Sequence, residues 1–230
     1  WSVVYIVLPT DLPELRQYGY LRTTYWKIDA LMTNPLKFIF EGAKVHLWFL
    51  AALIYAFWLL TFFIKRGMDR HILLFSIILY VIGLIGGSYA DTPFGINSIP
   101  FNTRNGPFIS TLFVTIGWLF SSDKVRCTPC TAAGLIIAGL SLHLSEVFIL
   151  WHYFSIDPFA ARYLLGTVFL VSGITLFLLS KPWLTFGRFL PALGKYTLGV
   201  YASHIIFIGI LNPLDNHLRG LYWDILFPFI

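Results

Sequence analysis

The run 46–64 (HLWFLAALIYAFWLLTFFI) is nineteen residues long and holds no Lys, Arg, Asp or Glu. A bilayer's hydrocarbon core is crossed by about 20 such residues in one helix. A helix on a soluble domain instead confines its apolar residues to one stripe. Segments 72–89, 108–120, 131–151, 163–180 and 197–211 repeat the pattern. The runs are continuous rather than alternating, which selects helices over a transmembrane barrel. The ends 1–8 (WSVVYIVL) and 222–230 (YWDILFPFI) read as parts of further spans. The expected fold is therefore all-α, a polytopic transmembrane helix bundle with six full spans and partial spans at both ends. It is expected to be one integral membrane domain, 1–230, taken from a longer protein.

Composition narrows the function classes. Of 230 residues 57% are hydrophobic and 12% charged, where a soluble domain has about 25% charged residues. That excludes a disordered tail, a nucleic-acid-binding module and an ordinary water-soluble domain. The net charge of +5 reads as cytoplasmic-loop bias. The loop after the first full span holds Lys65, Arg66 and Arg70. The loop near Asp123 holds Lys124 and Arg126, and 181–196 holds Lys181, Arg188 and Lys195. These alternate loops carry eight cations, while the intervening ones carry only Arg104, Arg162 and Arg219. The eight-cation side is expected to be cytoplasmic, so 91–107 and the ends near His152 and Asn212 face outward. Segment 9–45 resists the pattern with five cations and four acids. It is expected to be an outward-facing loop or a re-entrant segment.

Ionisable groups within apolar spans are costly, and each is a functional candidate. His46 opens its span at the outer mouth beside Trp48. It is either an interfacial histidine or part of a site. His143 and Glu146, three residues apart, share a helix face. They either satisfy neighbouring helices as a structural pair or form an acid–base couple. His204 lies within 197–211, near Tyr201 and Ser203, and is either a satisfied core histidine or a functional one. Arg104-Asn105-Gly106 closes the outer loop before 108–120. Its guanidinium suits a carboxylate, a phosphate or a developing oxyanion, and the same residues suit a plain helix start with Pro107 at its first turn. Cys127 and Cys130 form an isolated CxxC, too little for a zinc site or a disulfide framework. Gly83, Gly86 and Gly87 read as close helix packing rather than a phosphate cradle. No P-loop, nucleophile elbow or dinucleotide fingerprint is present.

Three segments together resemble the acyltransferase-3 family of integral membrane acyltransferases, which includes bacterial O-acetyltransferases of surface glycans. His46-Leu47-Trp48-Phe49-Leu50 looks like the family's HLWFL helix opening. Segment 101–117 (FNTRNGPFISTLFVTIG) resembles its TRNG-x-F helix entry. Segment 195–204 (KYTLGVYASH) is similar to its late S-x-G-x-Y-x-x-H helix, with Thr197 where the family has Ser. Trp1 to Tyr5 also looks like its third helix. In the family an Arg and a His on the first helix are central to transfer, and that region lies outside this sequence.

The resemblance implies movement of an acyl group, acetyl above all, from a cytoplasmic acyl-CoA to a hydroxyl of an extracytoplasmic or lipid-linked carbohydrate. Acyl-CoA (acetyl-CoA) is then a co-substrate, with no bound cofactor and no metal. The expected partners are the donor, the glycan acceptor and membrane lipid, and not nucleic acid. The expected location is the cell membrane, multi-pass, the inner membrane of a bacterium. His46, Arg104 and Asn105 are the expected catalytic residues. Arg104 and Asn105 would stabilise negative charge, and His46 would position the acceptor or relay its proton. Trp48, Glu146, Tyr201 and His204 are expected to line the substrate path. The competing readings are a proton-coupled transporter or flippase and a membrane module serving an attached soluble enzyme.

Overall fold

The computed structural model describes residues 48–96, 99, 102–103, 105–121, 128–159, 161, 163–180, 194–201 and 203, with single positions at 19, 22, 25, 28–29, 32–33 and 35. Among them the chain forms five long helices and no strand: α1 (Trp48–Lys65), α2 (Asp69–Ile85), α3 (Pro107–Ser121), α4 (Pro129–Phe154) and α5 (Leu165–Ser180). Contacts divide the chain into two compact units, Trp1–Leu47 with Phe186–Ile230, and Trp48–Thr185. In the first unit, the described positions of 9–45 other than Gly19 are helical and exposed, as are most of 197–201.

The second unit holds all five helices. Local chemistry sets their ends. α1 stops at Gly67, whose positive φ of 67° lets the Met68 and Gly67 amides return to the Phe63 and Ile64 carbonyls. α2 ends at Ile85, four residues short of the expected 72–89 span. There Gly86 donates to Ile82 O, and the chain folds back so that Ile96 N reaches Ile85 O. α3 begins at Pro107, which needs no helical donor at that position. α4 is capped by Thr128, whose hydroxyl accepts from Thr131 N at 3.2 Å. It ends at Ser155, left-handed at φ 56°.

Two of the helices, α1 and α4, are long and apolar enough to cross a membrane, and α3 and α5 are shorter apolar helices. The expected six crossings thus correspond, among the described residues, to two helices of full length. Only 17% of the α1 span and 11% of the α4 span is buried inside the protein. The outer faces carry Ile54, Phe57 and Trp58 on α1 and Ile137, Leu144 and Phe148 on α4, each more than half exposed. So much outward apolar surface is stable against lipid and unfavourable against water.

Packing within the unit is tight where residues are small. Ala52 and Ala56 of α1 are fully buried, and Ser110 of α3 donates to Ala52 O at 2.8 Å. α2 and α3 share a core of Tyr80, Leu84, Ile109 and Leu112. α4 and α5 meet through Gly139, Gly166 and Gly173. A Cβ on Gly139 would lie 2.3 Å from Leu170 N, and one on Gly173 would lie 2.8 Å from Ile136 N. Only hydrogen at those positions lets the two backbones approach so closely.

Candidate functional site

The close approach of α4 and α5 decides what Glu146 does. Its side chain leaves α4 eight residues before the helix end and reaches the first turn of α5. Oε1 accepts from Leu165 N at 3.2 Å, and Oε2 accepts from Gly166 N at 2.8 Å. The initial amides of a helix lack intrahelical acceptors and carry partial positive charge, so a carboxylate there is stabilising. A third donor, the Tyr89 hydroxyl, also bonds Oε1. Glu146 is therefore a cap contributed by a neighbouring helix, with three donors converging on one carboxylate.

His143 shares that face, as the spacing predicts, but does not pair with Glu146. Its Nδ1 lies 3.2 Å from Thr167 Oγ1, and the same hydroxyl accepts from Leu164 N at 3.0 Å. Of the two sequence readings, the structural pair facing a neighbouring helix describes these contacts, whereas a direct His–Glu couple does not form.

Tyr89 lies in the turn beyond α2. Its ring packs against both apolar clusters, the one around Tyr80 and Ile109 and the one formed by Leu150, Ala161 and Leu164. Burial raises its pKa most. The bond to Glu146 and that carboxylate's charge raise it further. The phenol therefore stays protonated and donates. A second tyrosine runs parallel to this tie: Tyr80 OH donates to Leu164 O at 2.7 Å. Two hydroxyls thus join the α2–α3 pair to the α4–α5 pair.

Across the same turn sits Thr103. Thr103 is fully buried, and its Oγ1 donates to Gly83 O at 2.8 Å. Gly86 and Gly87 make room for it: a Cβ on either would come within 2.8 or 2.9 Å of the Thr103 side chain. Of the glycines expected to serve close helix packing, Gly83 faces Ile109 of α3, whereas Gly86 and Gly87 lie beyond the end of α2 and face Thr103. Asn105 is 3% exposed, and its Oδ1 is buried without a hydrogen-bond partner. A buried acceptor left unpaired costs roughly 1–3 kcal/mol. An acceptor oxygen matches an O–H or N–H donor, not an anion. Gly106, with φ 72°, turns the chain from Asn105 into α3.

The other expected site residues are placed as follows. Trp48 is the first residue of α1, half-buried and edge-on to Phe49 at 5.9 Å. Tyr201 is helical and half-buried in the other unit. His46, Arg104 and His204 lie outside the described residues, as does Cys127. Cys130 is exposed. Among the described residues no three His, Cys, Asp or Glu side chains form a metal-binding group. Sequence reasoning passed over Tyr89, Tyr80 and Thr103. The only local signal for Tyr89 was a tyrosine just after a Gly-Gly break in an apolar run.

A family model described as an acyltransferase domain matches residues 1–230, the whole chain. An amino-acid racemase of Enterococcus faecalis is 32% identical over 113 residues, covering 44% of this chain and 16% of that protein. The chain therefore spans well under a quarter of that relative's length. No solved structure matches it.

Proposed function

Since the chain belongs to the acyltransferase-3 family, we propose that it is the membrane part of an enzyme that acylates carbohydrate. The acyl group, acetyl, passes from a cytoplasmic acyl-CoA to a hydroxyl of an extracytoplasmic or lipid-linked sugar, across a multi-pass domain in a bacterial inner membrane. The single observation that carries this reading is the family match over all 230 residues. The apolar outer faces of α1 and α4 support the membrane setting.

The chemistry asks for two things. The sugar hydroxyl oxygen bonds the thioester carbonyl carbon, the C–S bond breaks, and the hydroxyl proton ends on a base or on the departing thiolate. A base near the hydroxyl and a donor toward the tetrahedral oxyanion lower that barrier. Arg104 supplies the donor and His46 the proton relay. The unpaired Asn105 Oδ1 suits the incoming hydroxyl as an acceptor, a role different from the charge stabilisation expected from sequence. Trp48, Tyr201 and His204 are assigned to substrate binding in this reading. Glu146 supports this arrangement from the scaffold, since its oxygens are engaged by Tyr89, Leu165 and Gly166.

One specific observation favours a second reading. The racemase match fits a membrane module joined to a soluble enzyme that works on amino acids. Nothing in the comparisons supports a carrier. The experiment is transfer of labelled acetyl to a glycan by the full-length protein carrying Arg104→Ala or His46→Ala. We expect loss of roughly 100-fold or more in turnover at equal membrane abundance, the scale of removing an oxyanion donor or a general base. Wild-type turnover in both variants removes these residues from the mechanism.

A further inference from the structure

We propose that Tyr89 and Glu146 are positioning residues of the transfer site, which hold Ile99 and Thr103, and through them Asn105, against the end of α2. The functional half of this statement rests on the acyl-transfer reading above, and the structural half stands independently of it.

The turn 86–96 behaves as one tightly wound piece. Tyr89 N donates to Leu84 O at 2.9 Å, and Tyr89 O accepts from Thr92 N at 3.0 Å and from Thr92 Oγ1 at 2.7 Å. A Cβ on Gly95 would lie 2.1 Å from Tyr89 O and from Ala90 O, and Ile96 N closes onto Ile85 O at 3.1 Å. One side of this turn is the wall on which Ile99 and Thr103 lean. Ile99 Cδ1 lies 2.4 Å from a Cβ position on Gly86, and Thr103 fills the space over Gly86 and Gly87. Asn105 N is in turn bonded to Asn102 O at 3.0 Å. On its other side the turn is pinned by the Tyr89 hydroxyl to Glu146 of α4.

A carboxylate is not needed here merely to cap α5. A serine, threonine or aspartate just before the helix would do that locally, and Thr167 already serves the Leu164 amide. What Glu146 adds is a bond between two helix pairs, ending on the turn that supports Thr103. Without the Tyr89 hydroxyl the turn keeps its own backbone bonds but loses its anchor. Thr103 and Asn105 then lose a fixed wall, and misplacement of a reacting group by about 1 Å costs on the order of 100-fold in rate.

The test uses the full-length protein in lipid nanodiscs, with Tyr89→Phe and Glu146→Gln compared against Gly173→Ala. The last variant strains the same α4–α5 pair at Ile136, ten residues before Glu146 on α4 and so about 15 Å along the helix from the tie. Two readouts are taken. In acyl transfer, Tyr89→Phe and Glu146→Gln should lower kcat roughly ten-fold or more while leaving KM for the acyl-CoA within about two-fold, and Gly173→Ala should leave kcat per folded molecule unchanged. In the second readout, Thr103→Cys is combined with each variant, and its modification by a maleimide is followed by mass spectrometry of that peptide. The cysteine should react slowly when Tyr89 is intact, roughly ten-fold faster with Tyr89→Phe, and slowly with Gly173→Ala. Equal labelling with and without the Tyr89 hydroxyl, or equal loss of kcat in Gly173→Ala, overturns the proposal. If the unmutated protein transfers no acyl group, the acyltransferase reading falls, and the labelling rates alone decide whether the tie exists.

Discussion

Gly166→Ala offers the sharpest test of how the α4–α5 pair is built. An added Cβ would lie 2.3 Å from His143 N, 2.6 Å from His143 Cα and 2.7 Å from Gly139 O. All three are backbone atoms of α4, so no side chain can swing aside, and the helices must part by about 1 Å to reach ordinary contact. Overpacking of this kind costs about 1–3 kcal/mol. The shift also stretches the 2.8 Å bond from Gly166 N to Glu146, a further 1–2 kcal/mol or so for a charge-assisted hydrogen bond. Alanine returns up to about 1 kcal/mol of helix propensity. The net expectation is a loss of about 2 kcal/mol. Gly134→Ala, also on α4, meets no atom within 4 Å and should be neutral or gain up to about 1 kcal/mol. Thermal unfolding of both variants in the same detergent reads the difference. Equal melting temperatures would refute the close helix approach on which the Glu146 cap depends.

Other substitutions read the same construction. Glu146→Ala strands three donors and should cost about 3 kcal/mol, whereas Glu146→Gln keeps one carbonyl acceptor and should cost about 1–2 kcal/mol, both by thermal unfolding. Tyr80→Phe leaves Leu164 O without its 2.7 Å donor and should lower stability by about 1–2 kcal/mol. Ser145→Ala, whose hydroxyl bonds only its own helix at Ser141 O on an exposed face, should stay within about 0.5 kcal/mol of the unmutated protein in the same assay.

The sequence made the apolar rods legible because each is a local property. Runs such as 46–64 and 131–151 commit to helix wherever their surface can be covered by lipid, and helices Trp48–Lys65 and Pro129–Phe154 lie close to those bounds. Ends that depend on a single residue were readable at Pro107. They were less so at Gly86, where the chain leaves the helix before its apolar run is over. The shared face of His143 and Glu146 followed from spacing alone. Their partners did not, because Tyr89 lies 57 residues from Glu146 and Tyr80 lies 84 from Leu164. Thr103 was passed over for a similar reason, since what defines it is the space above Gly86 and Gly87, created only when α2 and the following segment meet. Asn105 was marked as a candidate from its motif, yet which of its atoms is unsatisfied emerged only from the packed structure.

Acyl transfer across the membrane can be read by incubating the full-length protein in sealed proteoliposomes, with acetyl-labelled acetyl-CoA on the cytoplasmic side and a glycan acceptor on the other. Label should become covalently attached to a sugar hydroxyl as an alkali-labile ester, and should be absent from vesicles without the protein. Label that crosses the membrane unattached, or that reaches no sugar under any acceptor tried, would contradict the acyl-transfer reading.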